Sequence, residues 1–319
     1  MTKEQILLNC NLPYMLMDIL KEHFEVIKIQ ENGDNIIENK TIRILVTNGE
    51  TFVKKELIDK LPNLKLIANF GVGYDRINVE YALSKNILIS NTPNVLTEDV
   101  ADLAITLMLN IARQVPQAMN YIKNGSWERN GMGSYPFTTK ISHKKIGIAG
   151  LGRIGMEIAK RALAFNMDIS YFARSEKENA KKLNFTFFNT INDLASNVDF
   201  LVLALPGNPE NHHIVNYETL QRLGPSGFLI NIGRGSLVNE KDLIFALKNN
   251  LIKGAALDVF DNEPFINKDL TALDNVIYTP HIGSATLETR YDMSNLVFAN
   301  IKAFIENKAL ITPIVECQK

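Results

Sequence analysis

The stretch "KIGIAGLGRIG", residues 145–155, places three closely spaced glycines directly after a short apolar run. The run predicts a buried strand, and the apolar residues beyond the glycines recur at helical spacing. Gly150, Gly152 and Gly155 then form the turn from strand to helix, where glycine permits a tight bend and a close backbone approach. A strand, this glycine pattern and a helix in one unit predict a site for the pyrophosphate of a dinucleotide at the helix N-terminus.

The end of the following strand indicates which dinucleotide is used. Sites of this kind usually place an acid about 20 residues beyond the glycines, where it binds the ribose hydroxyls. The segment "YFARSEK", residues 171–177, has Ala173, Arg174 and Ser175 there. A carboxylate would repel a 2′-phosphate, whereas an arginine can pair with one through two hydrogen bonds and a serine can donate its hydroxyl proton. We therefore predict a preference for NADP(H) over NAD(H); the alternative is that Glu176 binds the ribose and Arg174 is solvated.

Length and charge exclude several classes of function. The 319 residues exceed one typical domain, so two are expected. The 34 basic and 35 acidic residues give a net charge of -1, without the cationic surface that nucleic acid or an anionic membrane requires. Cys10 and Cys317 are too few for a disulfide framework, and the chain shows no secretion signal or apolar run of membrane-spanning length. We expect a cytoplasmic protein that acts on a small molecule and holds no metal.

Short apolar runs alternate with helical patterns along the chain. These runs cover residues 42–48, 64–70, 87–92, 145–150, 168–172, 199–205 and 227–232. They lack polar alternation and are bounded by Gly, Asn and Pro, which is typical of parallel strands buried on both faces. The pattern predicts an α/β protein with two doubly wound parallel-sheet domains, Rossmann-like or flavodoxin-like, and a cleft between them.

Three helices are expected to connect and cover these sheets. One spans Thr97 to Ala118 and another about Ala285 to Asn307, which we expect to pack against the N-terminal half of the chain. The apolar positions of the second are Leu287, Tyr291, Leu296, Phe298, Ile301 and Phe304. The inward face of the helix after the glycine turn is predicted to be Ile154, Ile158, Ala159, Ala162 and Leu163. This organisation gives a substrate-binding domain of residues 1–98 plus 286–319, and a dinucleotide-binding domain of residues 99–285.

Arginine, acid and histidine side chains follow three of the later strands. Arg234 lies in "INIGRGSLV", Asp258 and Glu263 in "GAALDVFDNEP", and His281 in "VIYTPHIGSAT". The carboxyl ends of parallel strands meet at the edge where such sheets bind ligands. A histidine kept protonated by a carboxylate can donate a proton to a carbonyl oxygen as hydride arrives, while a guanidinium binds the substrate's carboxylate. This chemistry fits a 2-oxo acid reductase, although spacing alone leaves coincidence open.

The ordered motifs "GLGRIG", "LINIGRGSLV", "AALDVFDNEP" and "TPHIGSAT" resemble those of the D-isomer-specific 2-hydroxyacid dehydrogenase family over nearly the whole chain. The resemblance implies that Arg234 binds and polarises the substrate. It also implies that Glu263 raises the pKa of the histidine and that His281 donates the proton.

The same resemblance implies a set of ligand contacts. The loop "NFGVGYDRIN" would bind the substrate carboxylate through the backbone N–H groups of Val72 and Gly73, although its residues alone fit a plain glycine turn equally well. Asp258 would lie near the nicotinamide amide; otherwise it is an acid at a strand end. The implied cofactor contacts are Gly150, Leu151, Gly152, Arg153, Ile154, Gly155, Ala173, Arg174, Ser175, Ile232 and Asp258.

Within that family, "YFARSEK" and "NTPNVLTEDVADLAI" look most like the NADPH-preferring glyoxylate, hydroxypyruvate and hydroxyphenylpyruvate reductases. This likeness implies reduction of a small 2-oxo acid to a D-2-hydroxy acid. It also implies a homodimer, because the glycine-rich arm around Trp127 lies at a dimer interface in similar reductases. Two alternatives remain: a dinucleotide-sensing binding protein of the corepressor type, and a family dehydrogenase with another substrate such as 3-phosphoglycerate.

Overall fold

A computed structural model describes residues 3–29 and 38–318 of the chain. The chain divides into two compact units, Met1–Leu96 with Ser284–Lys319, and Thr97–Gly283. The predicted domain boundaries lie within two residues of these bounds, and the ligand assigned to each domain stays a prediction.

The first unit contains a five-stranded, wholly parallel sheet in the order β2-β1-β3-β4-β5. Its strands are β1 (Gln5–Leu8), β2 (Glu25–Lys28), β3 (Ile44–Asn48), β4 (Leu66–Phe70) and β5 (Leu88–Ser90), and its first helices are α1 (Tyr14–His23), α2 (Lys55–Asp59) and α3 (Val79–Ser84). All five residues of β4 are buried, so this central strand is covered on both faces. Continuous burial explains why its sequence shows no alternation of apolar and polar residues.

The second unit contains a seven-stranded parallel sheet in the order β12-β11-β10-β9-β6-β7-β8. Its strands are β6 (Lys145–Ala149), β7 (Asp168–Phe172), β8 (Thr186–Phe188), β9 (Phe200–Leu203), β10 (Phe228–Asn231), β11 (Gly254–Leu257) and β12 (Val276–Tyr278). Its helices are α4 (Thr97–Arg113), α5 (Val115–Lys123), α6 (Ser126–Asn130), α7 (Arg153–Leu163), α8 (Glu178–Lys182), α9 (Ile191–Ala195), α10 (Tyr217–Leu223), α11 (Glu240–Lys248) and α12 (Lys268–Thr271). The two parallel sheets confirm the predicted α/β class.

The last helix, α13 (Leu287–Ile305), belongs to the first unit and packs against α1 and β4. Two of the six apolar positions named from the sequence are exposed, and two polar residues are buried instead. Leu287 and Tyr291 are 56% and 45% exposed, whereas Ser294 and Asn300 are buried. Both polar side chains bond locally, Ser294 Oγ to the Arg290 carbonyl and Asn300 Nδ2 to the Leu296 carbonyl, so their burial leaves those donors paired. Of the other predicted positions Ile301 is buried, and the rest are half-buried: Leu296, Phe298 and Phe304.

The helix predicted to run from Thr97 to Ala118 ends at Arg113 instead. A proline inside a helix collides with the carbonyl four residues earlier, and Pro116 stands four residues after Ala112. The chain breaks at Gln114, whose φ is +50°, and α5 starts a new helix that holds Pro116 in its first turn. The Ala112 carbonyl accepts a hydrogen bond from the N–H of Thr139, 2.9 Å away.

The buried face of α7 was largely as predicted. In α7, Ile158, Ala159 and Ala162 are buried as predicted, but Leu163 is 43% exposed because it lies at the end of the helix. Strands β1, β2 and β8 were not among the predicted runs; β2 and β8 lie at sheet edges and are only partly buried. Within residues 3–29 and 38–318, no helix has the length and apolar character needed to cross a membrane.

Candidate active site

Two glycines of the turn between β6 and α7 are required by backbone packing. Gly150 has a φ of +98°, and a Cβ there would lie 2.7 Å from the carbonyl oxygen of Ala204. A Cβ on Gly155 would collide with the carbonyl oxygen of Gly150. The turn therefore keeps its shape only with glycine at both positions.

Gly152 differs, because nothing lies within 4 Å of where its Cβ would stand. It is the N-cap residue of α7, whose first N–H groups have no partner within the helix and carry partial positive charge. Leu151 is buried, Arg153 is exposed and Ile154 is half-buried beside it. This helix N-terminus has the features of an anion site: N–H donors, positive potential and open space for a ligand to approach.

The segment after β7 exposes a guanidinium group. Ala173 is half-buried, whereas Arg174 and Ser175 are exposed, and Arg174 forms no ion pair with any residue that the structure describes. The hydroxyl of the buried Tyr171 accepts a hydrogen bond from the N–H of Lys177 at 2.8 Å. This bond ties the end of the segment to the sheet.

His281 and Glu263 form a hydrogen-bonded pair beyond the carboxyl ends of β12 and β11. The distance from His281 Nδ1 to Glu263 Oε2 is 2.9 Å, and Glu263 Oε1 accepts from the N–H of Phe260 at 2.8 Å. Both carboxylate oxygens are thereby engaged, which fixes the acid against the imidazole. A carboxylate held in this way favours the charged form of a histidine.

The pKa of Glu263 is lowered from its ordinary value. Burial raises the pKa of this carboxyl, but the hydrogen bond and charge of His281, the Phe260 N–H and the positive charge of Arg234 together outweigh burial. Glu263 is therefore a carboxylate at neutral pH.

Asp258, directly after β11, holds the segment that carries His281. Its carboxylate accepts hydrogen bonds from the Thr279 hydroxyl at 2.6 Å, the Ile282 N–H at 2.8 Å and the Gly283 N–H at 2.9 Å. Burial raises the pKa of Asp258, and these bonds offset part of the increase. His281 has a left-handed φ of +52°, which costs energy in a non-glycine residue and persists only when its surroundings impose it. Contact of Asp258 with a nicotinamide stays a prediction.

Arg234 follows β10 in a turn fixed by Asn231. The Asn231 Nδ2 donates to the Arg234 carbonyl at 2.8 Å, and its Oδ1 accepts from the Gly233 N–H at 3.1 Å. A Cβ on Gly235 would collide with the backbone of Phe260, so this turn packs directly on the chain that leads to Glu263. Ile232, the other predicted residue of the turn, is buried. The second unit thus brings the predicted arginine, acid and histidine to one edge of its sheet.

Val72 and Gly73 lie in the first unit, in the loop after β4. Both are half-buried, and within the described segments neither backbone N–H donates a hydrogen bond. The side chains of Asn69 and Asn91 hold the carbonyls of this loop.

Sequence reasoning missed the asparagines that shape these loops. Asn69 and Asn231 each stand in the pattern N-x-G-x-G, as "NFGVG" at 69–73 and "NIGRG" at 231–235. An asparagine at a strand end, two residues before a glycine, is the signal that could have identified them, because its side chain can bond the backbone of the following turn. Among the described residues, no group of three or more His, Cys, Asp or Glu side chains is arranged to hold a metal ion.

Comparison with known proteins finds a matching family model and relatives of high identity. Residues 105–283 match the family model described as D-isomer specific 2-hydroxyacid dehydrogenase, NAD binding domain. The chain is 45% identical over 279 residues to hydroxyphenylpyruvate reductase of Plectranthus scutellarioides, covering 88% of this chain and 87% of the relative. It is 40% identical over 314 residues to glyoxylate/hydroxypyruvate reductase A of Arabidopsis thaliana, covering 97% and 98%.

A solved structure is similar over almost its full length. The NADPH-dependent glyoxylate/hydroxypyruvate reductase of Sinorhizobium meliloti, in complex with NADP and malonate, matches with a TM-score of 0.93 and 38% identity. The match covers 99% of this chain and 98% of that one.

Proposed function

The chain belongs to the D-isomer specific 2-hydroxyacid dehydrogenase family, and we propose that it is an NADPH-dependent reductase that converts a small 2-oxo acid to a D-2-hydroxy acid. Glyoxylate, hydroxypyruvate and related acids are the proposed substrates, since the similar proteins are named for them. The observation that carries the proposal is the 2.9 Å hydrogen bond between His281 Nδ1 and Glu263 Oε2, with the positive Arg234 close enough to lower the pKa of that acid.

His281 is the proposed proton donor. Because its Nδ1 bonds to Glu263, transfer of a proton to the substrate's carbonyl oxygen falls to Nε2. The Glu263 carboxylate stabilises the imidazolium before that transfer, and Asp258 holds the backbone on which the ring is mounted. When bound, the nicotinamide supplies the hydride for the carbonyl carbon.

Arg234 is proposed to bind the substrate carboxylate and to polarise the carbonyl. A guanidinium suits both tasks, because it stays charged and presents paired N–H donors. The backbone N–H groups of Val72 and Gly73 are proposed to bind the carboxylate as well. These donors neutralise the negative charge that would otherwise oppose the arrival of a hydride.

The residues around the glycine turn fit a dinucleotide. The open space beside Gly152 and the N-terminus of α7 would receive the pyrophosphate, with Leu151, Arg153 and Ile154 around it. Arg174 and Ser175 would bind a 2′-phosphate, while Ile232 and Asp258 would lie toward the nicotinamide. The preference for NADP(H) rests on the exposed guanidinium and on the absence of an acid in residues 171–175.

We also propose that the chain forms a homodimer and acts in the cytoplasm. Residues 115–137 expose an unusual number of large apolar side chains, which favours a protein interface on this segment. They are Val115, Met119, Ile122, Trp127, Met132 and Phe137. Sedimentation of the purified chain as a species of twice its 35.9 kDa mass would support the dimer, and a monomer would contradict it.

Oxidation of NADPH by the purified chain tests the proposed activity. Glyoxylate, hydroxypyruvate, pyruvate and hydroxyphenylpyruvate are offered in turn, and the configuration of each product is determined by chiral chromatography. We expect turnover of at least one acid, with a D product wherever C2 is a stereocentre. Tight NADPH binding without turnover of any of them would contradict the proposed reductase and favour a dinucleotide sensor.

A further inference from the structure

Two buried asparagine amides hold three consecutive carbonyls of the loop after β4. Asn69 Nδ2 donates to the carbonyl oxygens of Gly71 at 3.0 Å and Gly73 at 2.9 Å. Asn91 Nδ2 donates to the carbonyl oxygen of Val72 at 2.9 Å. The two asparagines are only 1% and 8% exposed, so these bonds are shielded from water.

These bonds determine where the N–H groups of the loop point. In a planar trans peptide the carbonyl and the N–H point in opposite directions. The Gly71 carbonyl shares a peptide with the Val72 N–H, and the Val72 carbonyl shares one with the Gly73 N–H. Because both carbonyls point toward the asparagines, both N–H groups point away from them. Neither N–H is used by another described residue, and both residues are half-exposed.

The backbone of Asn91 is itself held by the segment after α13. The Asn91 N–H donates to the Thr312 carbonyl at 3.2 Å, and the Thr312 hydroxyl donates to the Asn91 carbonyl at 2.6 Å. The Thr92 N–H gives the Gly71 carbonyl a second hydrogen bond at 3.0 Å. The segment after α13 thus anchors the backbone of Asn91, whose side chain in turn bonds the loop.

The side chain of Asn69 bonds the loop through Nδ2, whereas its buried Oδ1 has no partner among the described residues. What Asn69 contributes to the loop is therefore the pair of hydrogen bonds from Nδ2.

We propose that Asn69 and Asn91 are positioning residues for the substrate: they aim the adjacent N–H groups of Val72 and Gly73 at the carboxylate of the 2-oxo acid. Two neighbouring backbone N–H groups that point the same way form an anion-binding concavity, and a carboxylate can accept from both. This inference rests on the proposed function, because it assumes that a 2-oxo acid is the ligand of the loop.

Leucine variants test the proposal, since leucine has nearly the shape of asparagine but donates no hydrogen bond. In Asn69→Leu and Asn91→Leu, we expect the KM for hydroxypyruvate to rise about 10- to 100-fold, since a hydrogen bond to a charged carboxylate contributes roughly that factor to binding. The expected change in kcat is smaller than in KM. The Kd of oxamate, an unreactive analogue of a 2-oxo acid, should rise by a similar factor in the presence of NADPH. The Kd of NADPH should stay unchanged.

A matched control comes from Asn63, whose Nδ2 donates to the Lys40 carbonyl at 2.6 Å. This residue precedes the amino end of β4, whereas the loop follows its carboxyl end, so Asn63→Leu should leave KM and the oxamate Kd unchanged. Asn69→Ser and Asn91→Ser, which leave room for a water molecule, serve if the leucine variants do not fold. A merely structural role would lower Tm without separating KM from kcat.

Oxamate affinity separates this inference from the proposed reaction. If the wild-type protein binds oxamate but reduces none of the acids, weaker binding by the variants still supports the inference while the proposed function fails. Unchanged KM and oxamate Kd in folded variants would overturn the inference while the reductase stands. A wild-type protein that binds no oxamate would overturn it as well.

Discussion

The loops "NFGVG" (69–73) and "NIGRG" (231–235) share a residue pattern but present different kinds of donor. Each follows the carboxyl end of a buried parallel strand, β4 in one unit and β10 in the other, and in each an asparagine side chain bonds the backbone of the turn. The central position is Val72 in the first loop and Arg234 in the second. The first loop offers backbone N–H groups, whereas the second offers a charged side chain. The same residue pattern can therefore present either backbone donors or a side chain.

This difference predicts how substitutions in the two loops should affect activity. Replacing a side chain removes the function of a loop that works through that side chain, but leaves a backbone donor in place. Replacing the central residue should lower activity strongly in the second loop and hardly at all in the first. Replacing other charged groups of the second unit should also have a large effect, as at Arg234.

The largest effect is expected at Arg234. Arg234→Met keeps much of the side-chain length but removes the charge and the paired donors, so kcat/KM for hydroxypyruvate should fall by about 10²- to 10³-fold. Steady-state kinetics measure this loss, and fluorescence titration should show unchanged NADPH binding. Arg222→Met, which breaks an exposed ion pair with Glu218 on α10, is the control. A loss of less than tenfold would contradict the proposed role of the Arg234 side chain in binding the substrate.

Arg174 extends the comparison to the cofactor. Arg174→Ala removes the guanidinium proposed to bind the 2′-phosphate, and a charge-assisted hydrogen bond contributes about 1.5–3 kcal/mol. We expect the Kd of NADPH to rise roughly 10- to 100-fold. The Kd of NADH, measured by the same titration, is the internal control and should change less than about twofold. Equal losses for both cofactors would assign Arg174 a structural role and remove the basis for the NADP preference.

Glu263 tests whether charge, rather than shape, supports His281. Glu263→Gln keeps the hydrogen-bonding shape but removes the negative charge that favours the imidazolium. The pKa of Glu263 is lowered, so the wild-type carboxylate persists across the neutral range, and only the variant lacks it there. The pH at which reduction falls to half should move down by about one unit, with about tenfold less activity near pH 8.

The control for this variant is Glu240→Gln. The Glu240 carboxylate accepts from the Asp261 N–H at 3.1 Å, so it bonds the same loop without bonding the histidine. Its pH–rate profile should match the wild type. An unshifted profile in Glu263→Gln would mean that the acid only orients the ring.

The smallest effect is expected at Val72. Val72→Ala keeps the backbone N–H and the asparagine bonds to the loop, so kcat/KM should change less than about threefold. The same assay as for Arg234→Met gives the direct contrast between the two loops. A loss approaching that of Arg234→Met would show that the valine side chain, not the backbone, contacts the substrate.

Features set by local sequence could be predicted. The glycine turn could be predicted because its glycines stand at fixed spacing between an apolar run and a helical pattern. The strands could be predicted because buried parallel strands are continuously apolar. The charged residues of the site stood out because they follow strands directly. Each of these signals is contained within a few neighbouring residues.

Features set by distant contacts could not be predicted. The buried face of α13 is set by α1 and β4, against which the helix packs and which lie far from it in the sequence. The role of Asn91 depends on the Val72 carbonyl, which the fold brings to it from 19 residues away. The end of α4 and the role of Asn69 were within reach of sequence reasoning, because Pro116 marks the first and the N-x-G-x-G pattern marks the second.

Transfer of deuterium from the cofactor to the product would show directly that the chain reduces a 2-oxo acid with the hydride of NADPH. The chain is incubated with hydroxypyruvate and NADPH that carries two deuterons at nicotinamide C4, and the product is examined by mass spectrometry and chiral chromatography. We expect D-glycerate with one deuterium at C2. Unlabelled product, or the L isomer, would contradict hydride transfer by a D-isomer-specific reductase.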